Sequence, residues 1–230
     1  MNIESKTLPN GYRIVIEVDP DPESPRDWDN AFTMAFFHRR YDLGDKEFKT
    51  VGEFEAWKKK NKNQIAFIAP VRMYDHSGIT ISMSADNQFG YPYTDRWDSG
   101  LLGFIFITKK KAKQEWGKDA TPENLQKWAE GEIKTYDQYL RGSVYGFRIL
   151  DPDGEEVDSC WGHYCEPEEI IKEQEAAWKD KVFGKGSMIG EVINQIYSDL
   201  REDNAQPVKV LLGHLPKKIL QEFLDQVEDK

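Results

Sequence analysis

The sequence predicts an α+β fold: a mainly antiparallel sheet with packed helices and a helical C-terminal part. Three observations carry that expectation. β-rich runs bounded by turn residues dominate up to residue 165, with helices interspersed. Beyond it the period changes, and apolar residues recur three and four apart. The 230 residues are 39% hydrophobic and 13% aromatic, enough to pack a core rather than stay disordered. The expected division is a core domain at 1–165 and a helical extension at 166–230.

Each element has a local reason. YRIVIEV (12–18) is a β-rich run. DPDPESP (19–25) follows, and its three prolines forbid regular structure and leave a stiff acidic loop. AFTMAFFH (31–38) reads as a buried strand. Thr50 with Glu53 three residues on is a capping box, so a helix starts there. Phe54 and Trp57 lie on its apolar side. Lys58, Lys59 and Lys60 fall near its end, where the helix dipole favours cations. Strands are predicted at 65–74 and 79–84, joined by the turn in YDHSGIT (74–80).

A polar and aromatic loop covers 86–98, and LLGFIFIT (101–108) is a strongly apolar strand. A short basic helix at 109–116 follows. Thr121-Pro122 opens the next helix, whose stripe is Leu125, Trp128, Ala129, Ile133, Tyr136 and Leu140. DPDG (151–154) is a hairpin turn between strands at 144–150 and 155–161. Helices are predicted at 168–181 and, past a glycine-rich break, in the stripes at 189–200 and 219–227.

Charge narrows the function. Net charge is −10, whereas a global nucleic-acid binder is basic. Segment 151–180 holds eleven acids against two lysines, and 17–29 holds six acids against one arginine. Segments 39–62 and 109–118 run the other way. Alternating solvated faces explain this, and so does an acidic surface that docks a basic partner. Asp151, Asp153, Glu155, Glu156, Glu168 and Glu169 are the candidates for such a surface. No apolar leader opens the chain and no run approaches a membrane span, so a cytosolic chain with reduced Cys160 and Cys165 is expected.

Polar clusters mark the ends of the predicted strands: His38 to Tyr41, Asp75 to Gly78, Trp97 to Gly100 and Asp158 to Gly162. A nucleophile needs a base in hydrogen-bond reach, and the base an orienting acid. Cys160 or Ser77 with His76 and Asp75 or Asp98 would supply those parts. The competing reading is structural, since Asp-His-Ser-Gly and Trp-Asp-Ser-Gly suit turns. Cys160, His163 and Cys165, with a distant His76, have loose spacing for zinc, so no metal is assigned. Asp19, Asp21 and Glu23 lack the glycine of a calcium loop. Gly184 to Ser187 lacks the phosphate-loop pattern, and no cofactor is implied. Arg39, Arg40, Arg96 and Trp97 could grip a phosphate and stack a base, or pair with the acidic proline loop.

Taken in order, DPESPRDWDN (21–30), HRRYDLGD (38–45), YDHSGIT (74–80), RWDSGLLGFIFIT (96–108) and DSCWG (158–162) resemble a family of uncharacterised proteins of bacteriophages and bacterial mobile elements. The resemblance covers residues 12–165. It brings no functional residues with it. In the family pattern the position of Cys165 is usually not cysteine, which counts further against a metal. The resemblance implies the cytosol of a bacterial host and a host protein as partner, such as a nucleic-acid-binding component of a defence system. The expected function is therefore non-catalytic binding of that partner, in counter-defence or host takeover. The alternatives are a small Cys/His-dependent hydrolase or transferase and a nucleotide-binding sponge.

Overall fold

A computed structural model describes residues 2–8, 11–83 and 97–183. Arg96, the expected loop before it, the glycine-rich break at 184–187 and the stripes at 189–200 and 219–227 lie outside those residues. In chain order the strands are β1 (Asn2–Thr7), β2 (Arg13–Val18), β3 (Thr33–Phe36), β4 (Ile65–Asp75), β5 (Ile79–Met83), β6 (Ser99–Thr108), β7 (Tyr145–Leu150) and β8 (Glu156–His163). The helices are α1 (Val51–Lys60), α2 (Lys109–Trp116), α3 (Pro122–Leu140) and α4 (Pro167–Phe183). All strand pairings are antiparallel, in two sheets. The α+β class is thus what the chain adopts. Among the described residues no helix is long and apolar enough to cross a membrane.

The two compact units do not follow the expected 1–165 and 166–230 division. A central unit comprises 21–144, and a terminal unit joins 1–20 to 145–230. The cause is strand pairing across a long sequence gap, because β2 pairs with β7 and so puts two segments from either side of the central unit's sequence into one sheet.

In the central unit the strand order is β3-β6-β4-β5. LLGFIFIT becomes the middle of β6 and is buried on both faces, which explains its almost unbroken apolar run. Ile105 and Ile107 pack with Leu125, Ala129, Ile133 and Tyr136 of α3. Phe104 and Phe106 face the other way, onto Phe54 and Trp57 of α1 and onto Phe48. The Trp57 and Phe106 rings are 4.7 Å apart, and Phe48 stands edge-on to Phe54 at 5.2 Å. A side chain at Gly103 would collide with the carbonyl oxygen of Ala35, so glycine sets how closely β3 and β6 approach. The edge strand β5 is pinned by Asp137 of α3, whose Oδ1 accepts the Ile81 N–H at 2.7 Å and the Thr80 hydroxyl at 2.6 Å.

The helix signals are borne out. Thr50 Oγ1 accepts the Glu53 N–H at 3.2 Å, and the Glu53 carboxylate reaches back to the Lys49 N–H at 2.9 Å. Thr108 and Thr121 cap α2 and α3 in the same way, with Pro122 first in its helix.

In the terminal unit the order is β1-β2-β7-β8. β1 carries no strand pattern of its own, and pairing with β2 makes it one. Ile14, Ile16, Phe147 and Ile149 share one face and are covered by Ile170 and Ile171 of α4. Burying a side chain such as Ile170 is worth about 1.5–3 kcal/mol. The DPDG hairpin forms as expected. Asp151 Oδ1 accepts the Asp153 and Glu155 N–H groups at 3.0 and 2.9 Å, and Gly154 takes φ +91°.

Candidate functional site

Two places hold the residues singled out from the sequence, one in each unit.

The first is a corner of the central sheet. The turn 76–78 is tight because Asp75 pairs with Ile79 across it. Ser77 takes the left-handed conformation at φ 59°, and Gly78 follows at φ 159°. The left-handed position of the turn is thus held by serine. The Asp75 N–H donates to the Asp98 carbonyl at 2.8 Å, which brings the two acidic motifs together. His76 Nδ1 lies 2.8 Å from Asp98 Oδ2. With a carboxylate as acceptor, Nδ1 carries the hydrogen and Nε2 is left as the open nitrogen. Arg40 pairs with Asp75, and the Tyr41 hydroxyl donates to the same carboxylate at 3.4 Å. His38 stacks on Tyr41 at 5.0 Å. A hollow of about 190 Å³ opens here, lined by His38, Arg39, Arg40, Asp75, Trp97 and Asp98 among others. Trp97 is 87% exposed.

Three of the separate motifs therefore converge: His38 to Tyr41, Asp75 to Gly78 and Trp97 to Gly100. The structure gives the His76–Asp98 pair the geometry of a base and its orienting acid, but leaves it wet. The His76 side chain is 63% exposed and that of Asp98 39%. General-base chemistry gains most where water is excluded. Cys160 belongs to the terminal unit, on β8, where its thiol faces the Trp161 carbonyl at 3.7 Å. Of the arginines weighed between a phosphate and the acidic proline loop, Arg40 pairs with Asp75.

The second place is the acidic hairpin and helix start of the terminal unit. Asp153, Glu155, Glu168 and Glu169 are exposed, and none bonds a cation among the described residues. Two of the six expected docking residues are otherwise engaged. Asp151 is half-buried and holds the hairpin turn. Glu156 accepts from Arg148 at 2.6 Å and from Ser159 at 2.8 Å. The Arg148 bond, then that of Ser159, holds the Glu156 carboxyl below its usual range. Asp158 on β8 is exposed as well. β8 is an edge strand, with Val157 and Trp161 exposed on it. The Trp161 ring lies against Gly146, where any side chain would strike it.

Among the described residues no three His, Cys, Asp or Glu side chains are grouped to hold a metal ion. Cys160 is exposed, and His163 is half-buried beside Phe147. A bulge lies between them, where β8 shifts register and Gly162 takes φ +79°. Asp19, a candidate calcium ligand, accepts the Gly162 N–H at 2.9 Å.

Sequence reasoning missed the residues that position the corner. Arg26, only 10% exposed at its side chain, forks onto Asp45 at 3.0 and 2.7 Å and onto Glu132 at 3.1 Å. Asp45 also takes the Met34 N–H, and Glu132 takes those of Ala31 and Phe32. Burial pushes the Glu132 carboxyl up by more than the Phe32 amide and Arg26 draw it down. Burial works against the Arg26 charge, but Asp45 and then Glu132 outweigh it and raise its pKa. Tyr136, its hydroxyl pushed up to about 12 by burial, donates to the Leu43 carbonyl at 3.0 Å. These bonds fasten the 38–45 segment. One signal was available: Glu132 sits three residues after Ala129 and four before Tyr136, inside an otherwise apolar stripe.

Comparison with family models, with curated proteins and with solved structures finds no match for the chain.

Proposed function

We propose that the protein acts by binding rather than by catalysis. Its acidic terminal unit docks a basic, nucleic-acid-binding protein of a bacterial host, in counter-defence or host takeover. The supporting observation is where the charge lies. In the central unit nineteen acids meet nineteen lysines and arginines, so the entire net charge of −10 rests on the terminal unit. Carboxylates there carry the same sign as a row of phosphates, and a surface that binds phosphates attracts them. Asp153, Glu155, Asp158, Glu168 and Glu169 face water and bond no cation among the described residues, which favours their use by a partner. The hydrolase alternative gains little, because the His76–Asp98 pair is open to water.

The test is capture of host proteins by the full chain, compared with a variant carrying Asp153→Lys, Glu155→Lys, Glu168→Lys and Glu169→Lys. A basic partner retained by the natural chain should be released by competing duplex DNA. It should bind the variant about tenfold or more weakly. Equal retention by both chains would remove the acidic-docking reading.

A further inference from the structure

The 37–50 connection between β3 and α1 is long for a compact domain, and connections of that length without regular structure are commonly functional. It curls around a hollow of about 790 Å³, lined entirely by residues 36–51. That is the size range of small-molecule sites. The loop is built rather than loose. The Phe37 N–H donates to the Leu102 carbonyl, the Asp45 N–H donates to the Met34 carbonyl, and Phe48 is locked among Phe54, Trp57 and Phe106. At Gly44 the loop lies so close to β3 that a Cβ would be 2.8 Å from the Phe36 nitrogen.

The charge of this hollow opposes that of the molecule. Arg39, Lys46 and Lys49 line it and make no side-chain bond among the described residues. Arg40 lines it too but is committed to Asp75. Of its two acids, Asp45 is neutralised by Arg26, leaving Asp42. Three open cations thus face one open carboxylate. Planar groups adjoin them, since His38 and Tyr41, stacked on each other, are in the same wall. The first residue of α1 also borders the hollow, so the positive end of that helix adds to the cations.

We infer that the 37–50 loop is a binding site for a small phosphate-bearing ligand with an aromatic ring, the chemistry of a nucleotide. Cations take the phosphates, and the stacked His38–Tyr41 face takes the ring. The site is independent of docking by the terminal unit, and either can fail without the other.

Calorimetric titration of the full chain tests it, with ATP, GTP, cyclic mononucleotides, adenosine and inorganic phosphate as separate probes. At least one nucleotide should bind well ahead of both adenosine and phosphate. Arg39→Gln and Lys46→Gln should each weaken that binding about tenfold. Lys109→Gln with Lys110→Gln, exposed lysines on α2 outside this lining, should leave it unchanged. No binding by any nucleotide overturns the inference. So does phosphate alone binding as well as the nucleotides, or an equal loss in the α2 variant, which would show a diffuse charge effect.

Discussion

The two units build a four-stranded antiparallel sheet and spend it differently. The central sheet is covered on both faces, by α3 on one and α1 on the other, and its charges balance. Of the terminal sheet the helix α4 covers one face, and β8 is left as an exposed edge carrying acids. The difference teaches that two-sided burial lets a unit hold a shaped loop. Phe48 anchors the 37–50 segment in the α1-side core, and Tyr136 holds it from the α3 side. A sheet whose outer strand β8 carries exposed acids instead offers its exterior, where charge acts over a distance of about a Debye length.

The largest test of that contrast is Asp45→Ala. It strips Arg26 of its forked partner and orphans the Met34 N–H. Breaking a buried pair on one side costs about 3–5 kcal/mol. Denaturant unfolding should show that loss, and Arg26 should be left with Glu132 and the Phe32 carbonyl. A loss below about 1 kcal/mol would mean that the network is a surface pair in effect and does not hold the loop.

Next comes Ile170→Ala in the terminal unit, where α4 is held by Ile170 and Ile171 against the sheet. A cost of about 2–4 kcal/mol is expected for truncating a fully buried isoleucine. Hydrogen exchange should place the new opening in β1, β2, β7 and α4, while amides of β6 keep their protection. Equal loosening of β6 would make the two units one cooperative structure.

The smallest effect is a gain. Ser77 holds a left-handed conformation that costs a non-glycine residue about 1 kcal/mol. Ser77→Gly should therefore leave stability unchanged or raise it by about 0.5–1 kcal/mol, read as a small rise in Tm. A clear loss would show that the serine hydroxyl does something beyond closing the turn, and would reopen the reading of the corner as chemical.

How much was legible in the sequence varies with the range of the forces. The capping box at Thr50 and Glu53, the proline-led start of α3, the DPDG hairpin and the apolar strand β6 all depend on residues within one turn or strand of each other. Each was readable. β1 was not, because NIESKT has a single large apolar residue, Ile3, and owes its conformation to β2. At the candidate sites the turn at Ser77 was visible, whereas the His76–Asp98 pair needed two strands aligned 22 positions apart.

By itself the sequence determined the α+β class, the order of most elements and the uneven distribution of charge, because periodicity and capping act locally. Tertiary structure alone decided that β2 and β7 share one sheet, that Arg26, Asp45 and Glu132 meet, and that a loop rich in cations curls around a hollow. The reason is physical. Strand pairing joins residues as far apart as Arg13 and Leu150, a buried ion pair joins Arg26 to Glu132 106 positions away, and no local pattern specifies which partner a strand or a buried charge will find.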